Sequence, residues 1–303
     1  MKALRILQWG APVQLEEIAV PKIAPDEMLV RVHAASLNPA DLAVVTGYFQ
    51  NMLTVPMTPG SDFAGEVVEV GDQVEHVKAA DAVYGMIPYR GGTFAEYVVA
   101  KIAEVAPKPT TLDFVHAAAV PMTALTAWQA LFDVAHLQAG ERVLILGAGG
   151  SVGSFAVQFA KEQGAEVIGI ASAKDIPFLQ QDLGLDQVVE YQAFEQMVAD
   201  VDVVFNTANH DFSTRAYNVL KPGGRLVSIV GQPPEEAAER LGIYATMHYA
   251  GPSSDQLTTI AALIDAGKVK IRVQQTFPLS EGQAALDLKQ KGKTSGKFVL
   301  SIV

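Results

Sequence analysis

The glycines of Ala148-Gly-Gly-Ser-Val-Gly153 have the types and spacing to receive a dinucleotide pyrophosphate. Glycine at position 150 lets the backbone approach phosphate oxygens, and glycine at 153 lets a helix pack closely against the preceding strand. The amides of Gly150, Ser151, Val152 and Gly153 are the expected phosphate donors, at a helix N-terminus whose dipole favours negative charge. The pattern departs from G-x-G-x-x-G at its first position, which is Ala148. An acid about 20 residues further on would bind the ribose 2′-hydroxyl of NAD. That position falls at Ala171 or Ser172, and neither is acidic. The Ser172 hydroxyl and the Lys174 ammonium suit a 2′-phosphate instead, so NADPH is the expected cofactor; Asp175 keeps NAD open as the alternative.

Such a turn works only between a strand and a helix. Val143–Leu146 reads as a buried parallel strand, Ser154–Gly164 as an amphipathic helix, and Glu166–Ala171 as the next strand, which together make a βαβ unit. Downstream, strands are expected at Gln187–Glu190, Val201–Asn206, Leu226–Val230 and Gly242–Tyr249. Helices are expected at Ile176–Leu183 and Phe212–Leu220, with Lys221-Pro-Gly-Gly-Arg225 as a sharp turn. This alternation predicts a doubly wound parallel sheet. Upstream, short β-type runs at Lys2–Ile6, Gln14–Ile18, Met28–Ala35, Ala64–Val70, Ala82–Met86 and Thr93–Val99 lie between Pro and Gly turns, the texture of a partly open β-barrel. Val115–Asp133 reads as helix with a boundary or kink at Pro121. After a helix at Ser254–Ala266, the tail reads as a strand at Arg272–Phe277, a helix at Glu281–Gln290 and a strand at Lys297–Ile302. The expected organisation is a barrel domain of residues 1–116 and 250–303 and a dinucleotide domain of residues 117–249.

Composition narrows the chemistry. Among 303 residues there is no cysteine, which removes disulfides, thiolate nucleophiles and cysteine-ligated zinc. The six histidines are scattered, with no pair at ligand spacing, and read as ordinary solvated or core residues. A net charge of −11 argues against nucleic acid or an anionic membrane surface as partner. No long apolar run suggests a membrane span, and Met1-Lys-Ala-Leu-Arg5 reads as strand rather than a secretory leader, so a cytoplasmic location is expected.

The order barrel, parallel sheet, short return resembles the medium-chain dehydrogenase/reductase superfamily, and within it the zinc-free quinone oxidoreductase branch with ζ-crystallin and the enone reductases. The resemblance rests on Leu37-Asn-Pro-Ala-Asp41, Thr58-Pro-Gly-Ser-Asp-Phe-Ala-Gly65, Gly91-Gly-Thr-Phe-Ala-Glu-Tyr97, Ala118-Ala-Val-Pro-Met-Thr-Ala-Leu-Thr-Ala-Trp128 and Leu220-Lys-Pro-Gly-Gly-Arg225. It implies a GroES-like barrel beside a Rossmann domain. It also implies that zinc ligands are missing, since Gly60-Ser61-Asp62 stands where zinc-dependent members carry Gly-His-Glu.

By the same resemblance Asn38 lies near the nicotinamide, or else only caps the turn at Pro39, and Asp41 is read as a helix or turn residue. Tyr48 lines the substrate cleft and could donate to an oxyanion, or else only packs. Thr126 approaches the cofactor or packs within its helix. Tyr191 lies near the adenosine phosphate or packs at the surface. Thr207 ends the fourth strand of the parallel sheet, where ligands collect. Lys297 reaches the cofactor cleft or is a solvated lysine. The implied reaction is hydride transfer from NADPH to a quinone or α,β-unsaturated carbonyl, an acceptor electrophilic without a Lewis acid. The alternative is a non-catalytic NADPH-binding sensor or structural protein. The apolar strand at Gly242–Tyr249 is the expected seam of a homodimer.

Overall fold

The structure, a computed structural model, describes residues 1–87, 90, 92–292 and 295–302. It divides into two compact units, the first comprising Met1–Met122, Gly251–Gly267 and Ile271–Val303, the second Thr123–Ala250 and Lys268–Lys270. The chain begins with β1 (Lys2–Arg5), β2 (Gln14–Glu17), β3 (Glu27–Ser36), helix α1 (Pro39–Val45), β4 (Asp62–Val70), β5 (Ala82–Met86), β6 (Tyr97–Lys101), β7 (Val105–Pro107) and α2 (Phe114–Ala118). Helix α3 (Pro121–Trp128) leads to β8 (Arg142–Leu146), α4 (Ser151–Glu162), β9 (Glu166–Ala171), β10 (Gln187–Glu190), β11 (Val201–Asn206), β12 (Leu220–Ser228) and β13 (Tyr244–Met247). The chain returns through the helix Ser254–Asp265, β14 (Val273–Pro278), the helix Gly282–Gln290 and β15 (Lys297–Ser301).

In the first unit the sheet order is β14-β15-β3-β4-β5-β7. The long strand β3 is shared. Its Glu27–Arg31 half pairs with β6, its Ala34–Ser36 end pairs with β15, and β4 runs antiparallel to both parts. This sharing gives the partly open barrel expected of a GroES-like domain. Buried Leu4, Ile6, Met28, Val32, Phe63, Phe94, Phe298 and Leu300 fill its core.

The second unit carries a six-stranded sheet in the order β10-β9-β8-β11-β12-β13, parallel at every pairing. This is the doubly wound Rossmann order, and its direction reverses between β8 and β11. Val143–Leu146 of β8 are all buried, as a central parallel strand requires.

Local boundaries follow or depart from expectation for identifiable reasons. Within Val115–Asp133 the boundary falls at Pro121 as expected, between α2 and α3. Pro121 starts α3 at a first-turn position, where a missing N–H costs nothing, and the last turns relax into a π-helical stretch at Gln129–Val134. The Ile176–Leu183 helix is present, widened to a π-helix over Phe178–Asp182, and a separate 3₁₀ turn at Ala173–Asp175 precedes it. Lys221–Gly224 bulges out of β12 rather than ending before it, because Val201 faces Leu220 while Val203 already faces Arg225; Gly223 supplies the left-handed backbone at φ +79°. The Thr93–Val99 strand is shifted to β6. Gly91 of the barrel motif lies outside the described residues. Among those residues, no helix is long and apolar enough to cross a membrane.

Candidate active site

Three element ends meet in the first unit. Ser36 closes β3, and its register partners are Asp62, the first residue of β4, and Val299 of β15. Asn38 is the N-cap of α1, with Pro39 in the first turn. Gly60 turns the chain into β4 at φ +102°, where a Cβ would lie 2.4 Å from the Thr93 hydroxyl, so only glycine fits. Gly296, at φ +145°, does the same before Lys297.

These ends bring buried charges together. Asp62 is fully buried and accepts from the Ser36 hydroxyl (2.9 Å), Asn38 Nδ2 (2.9 Å) and the Met122 amide (2.8 Å). Lys297, 2% exposed, donates to Asn38 Oδ1 at 2.5 Å and lies 3.4 Å from Asp62 Oδ2. Asp41, also buried, accepts from the Asn38 amide (2.7 Å) and the Ser61 hydroxyl (2.9 Å). Burial pushes the Asp41 carboxyl up to about 6, helped by the Asp62 charge and opposed by the Asn38 amide, the Ser61 hydroxyl and Lys297. Burial pulls the Lys297 ammonium below its ordinary value, against the attraction of Asp62 and Asp41. Lys289 is lowered to about 8, first by burial and then by the Lys297 charge.

Asn38 and Lys297, expected separately, are therefore in direct contact. Lys297 is not a solvated lysine: it is buried, and its ammonium is held by Asn38 and Asp62. Asn38 stands at the N-cap of α1 but its side chain makes no cap hydrogen bond, while Asp41 accepts the Asn38 amide, as a turn residue should. Tyr48 stands apart: it is 79% exposed, its ring meets Phe49 edge-on at 5.1 Å, and its hydroxyl has no hydrogen-bond partner among the described residues. Sequence reasoning passed over Ser36 and the part Asp62 plays. The position of Asp62 at the end of the Gly60-Ser61-Asp62 motif was the available signal.

In the second unit, Gly150 caps α4, and its own amide donates to the Gly147 carbonyl at 2.9 Å. The amides of Ser151, Val152 and Gly153 open the helix, where no intrahelical acceptor exists for them. A Cβ on Gly153 would sit 2.1 Å from the Gly147 carbonyl oxygen, which is the close helix–strand approach expected of that glycine. Thr207 donates to the Leu146 carbonyl at 2.8 Å, beside Gly147 and at the reversal between β8 and β11. These two strand ends form the crevice where open parallel sheets bind ligands.

At the end of β9 the Ser172 hydroxyl donates to Asp175 Oδ2 at 2.7 Å. Asp175 is buried, and a Cβ on Gly149 would lie 2.5 Å from its own Cβ. A carboxylate thus flanks the phosphate turn, which the Ser-x-x-Asp spacing could have signalled. Lys174 is exposed, with no partner among the described residues. Tyr191 stacks on Phe212 at 5.0 Å, and burial followed by the Asp175 charge raises its hydroxyl above the ordinary value. Thr126 is buried on α3.

Comparison with known proteins gives the family. Residues 24–110 match the alcohol dehydrogenase GroES-like domain, and residues 183–300 match the zinc-binding dehydrogenase domain. The chain is 33% identical over 331 residues to the mitochondrial NAD(P)H oxidoreductase RTN4IP1 of Mus musculus, covering 92% of this chain and 82% of that protein. It is 32% identical over 318 residues to a 2-methylene-furan-3-one reductase of Solanum lycopersicum, covering 99% and 79%. The solved quinone oxidoreductase of Coxiella burnetii superimposes with a TM-score of 0.90 at 31% identity, covering 100% of this chain and 99% of that one. The chain belongs to the quinone oxidoreductase branch of the medium-chain dehydrogenase/reductase superfamily, whose members are oxidoreductases using a nicotinamide cofactor.

The matched domain name raises the question of zinc. The donor set does not fit it. The chain has no cysteine, and among the described residues no three His, Cys, Asp or Glu side chains are grouped to hold a metal ion. The Asp62 carboxylate already faces the Lys297 ammonium. A nicotinamide dinucleotide does fit the second unit, through the open amides of Ser151–Gly153 and the cradle that a Cβ at Gly153 would fill.

Proposed function

We propose that this protein reduces a quinone or an α,β-unsaturated carbonyl with NADPH and without zinc. The observation that carries this reading is the buried group of Asn38, Asp62 and Lys297, which brings no set of three metal-ligating side chains together among the described residues but offers hydrogen-bond donors. An acceptor activated by its own conjugation needs only such donors, because the charge it develops on oxygen is stabilised by positioned N–H groups. When bound, the reduced nicotinamide supplies the hydride. The Ser151–Gly153 amides hold the pyrophosphate, Gly150 lets the backbone approach it with its own amide bonded to Gly147, Thr207 shapes the crevice beside it, and Thr126 and Tyr191 border the cofactor. Tyr48, exposed with an uncommitted hydroxyl, is the residue best suited to touch the acceptor directly.

The preference for NADPH rests on the exposed Lys174 ammonium and on Ser172 beside it. Asp175 is the counterweight, since a carboxylate is what NAD sites use at the ribose 2′-hydroxyl. Fluorescence titration with both reduced cofactors separates the two: tighter NADH than NADPH binding overturns the preference. For the reaction, NADPH oxidation is followed against a panel of quinones and enones in the presence of a zinc chelator. Saturable turnover that survives chelation supports the reading; saturable cofactor binding with no turnover on any acceptor means a sensor or structural protein instead. A homodimer joined through β13 is part of the reading, because β13 pairs only with β12 and leaves its outer edge open among the described residues. A monomer by light scattering at micromolar concentration removes it.

A further inference from the structure

We infer that Lys297 and Asp62 are positioning residues that fix the Asn38 carboxamide in one orientation, polarise it, and so make Asn38 a neutral donor to the acceptor oxygen. The last step rests on the proposed reduction of a quinone or enone; the orientation does not.

A carboxamide looks nearly the same after a half-turn, so its partners decide its orientation. An ammonium only donates and an ionised carboxylate only accepts. Lys297 on Oδ1 and Asp62 on Nδ2 therefore leave Asn38 a single arrangement. The backbone is held as well: the Asn38 amide donates to Asp41, and Pro39 keeps residue 38 in the extended region, at φ −113° and ψ 158°.

One hydrogen on Nδ2 is left over. Asn38 is 1% exposed, and that hydrogen has no acceptor among the described residues. The Asn38 nitrogen already has one partner in Asp62, and the second hydrogen is the one that can donate to an acceptor oxygen. The ammonium on Oδ1 also strengthens the donor, because a cation on an amide oxygen draws charge from the nitrogen and makes its hydrogens more acidic. Ser61 and Asp62 occupy the positions that match the His-Glu of zinc-dependent relatives. Positive charge at this locus would then act on the acceptor through an amide rather than from a metal. Asp41 and Lys289 are the other titratable groups that face Lys297.

The test reads orientation and turnover separately. Asn38 side-chain resonances are followed by NMR in selectively ¹⁵N-asparagine-labelled full-length protein, assigned with Asn38→Asp. Because Lys297→Met alone strands a buried carboxylate, the working variant is Lys297→Met/Asp62→Asn, which removes both charges. Wild-type protein should show two well-separated, slowly exchanging Nδ2 hydrogens, and the double variant should exchange them at least about tenfold faster. Unchanged exchange overturns the inference. In turnover, the double variant should lose about tenfold in kcat with NADPH affinity unchanged, less than deleting an oxyanion donor outright. Wild-type kcat in a folded double variant means that the pair is merely structural. Wild-type protein with no turnover on any acceptor, but with protected hydrogens that the double variant loses, overturns the proposed function and leaves the positioning intact.

Discussion

The Asn38–Asp62–Lys297 cluster of the first unit and the Gly147–Gly153 turn of the second solve the same problem, presenting donors to a ligand, by opposite means. The cluster is made of side chains from distant parts of the chain: Lys297 and Asn38 are 259 residues apart, and Asn38 and Asp62 are 24 apart. It is buried and charged, and it exists only because register sets β15, β3 and β4 side by side. The turn is made of seven successive residues whose donors are backbone amides and whose essential side chains are absent. The first arrangement is fragile to charge, the second to volume.

The largest effect expected from that contrast is at Lys297. Replacing it with Met leaves Asp62 buried without its cation, at a cost of about 4 kcal/mol. Urea denaturation should register that loss, and adding Asp62→Asn should return most of it. A loss below about 1 kcal/mol would mean that Ser36, Asn38 and the Met122 amide suffice to hold the carboxylate.

The turn should break by volume instead. Gly153→Ala puts a methyl 2.1 Å from the Gly147 carbonyl oxygen and 2.8 Å from the Ala148 Cα, both backbone atoms that cannot swing aside. A loss of about 3 kcal/mol is expected, together with loss of cofactor fluorescence enhancement. Gly150→Ala, whose nearest contact is 3.2 Å, should cost much less. Equal effects at the two glycines would remove the distinction drawn between them.

The same contrast explains what could be read from sequence. The turn, its flanking strand and helix and the parallel sheet were legible because each depends on neighbours in the chain: glycines at fixed spacing, and apolar runs of strand length. The return segment was legible for the same reason. The cluster was not. Asn38 and Lys297 could be picked out singly, but that one holds the other depends on strand register, which no local pattern encodes. The short turn at Ala173–Asp175, just ahead of the expected Ile176–Leu183 helix, was not legible, because it depends on Asp175 reaching Ser172 and Gly149.

The first unit's site carries a group shifted into the mild-acid range. The Asp41 carboxyl lies near 6 in the folded protein and near 3.8 as a free group, so the native state takes up a proton that the unfolded chain does not. Its contribution to stability is therefore greatest below the unfolded value and is lost as pH rises through about 6. Between pH 5 and pH 7 the loss is about 1.4 kcal/mol. Comparing urea midpoints of wild type and Asp41→Asn at both pH values isolates it, because the other titrating groups are common to the two proteins. An identical pH dependence in both would place the Asp41 titration outside this range.

The smallest effect expected lies at the edge of the turn, where the second unit carries its own buried carboxylate. Asp175 accepts the Ser172 hydroxyl and packs on Gly149, so it faces the region where a 2′-phosphate or a 2′-hydroxyl is distinguished. Its carboxylate lies against the phosphate turn, so its charge acts on whatever approaches there. Asp175→Asn keeps an acceptor for Ser172 and removes the charge. NADPH affinity should rise about fourfold, the scale of a partly solvated charge interaction, while NADH affinity holds or falls. A rise of the same size for both cofactors would mean that Asp175 shapes the turn without reading the ribose, and the choice between cofactors would then rest on Lys174.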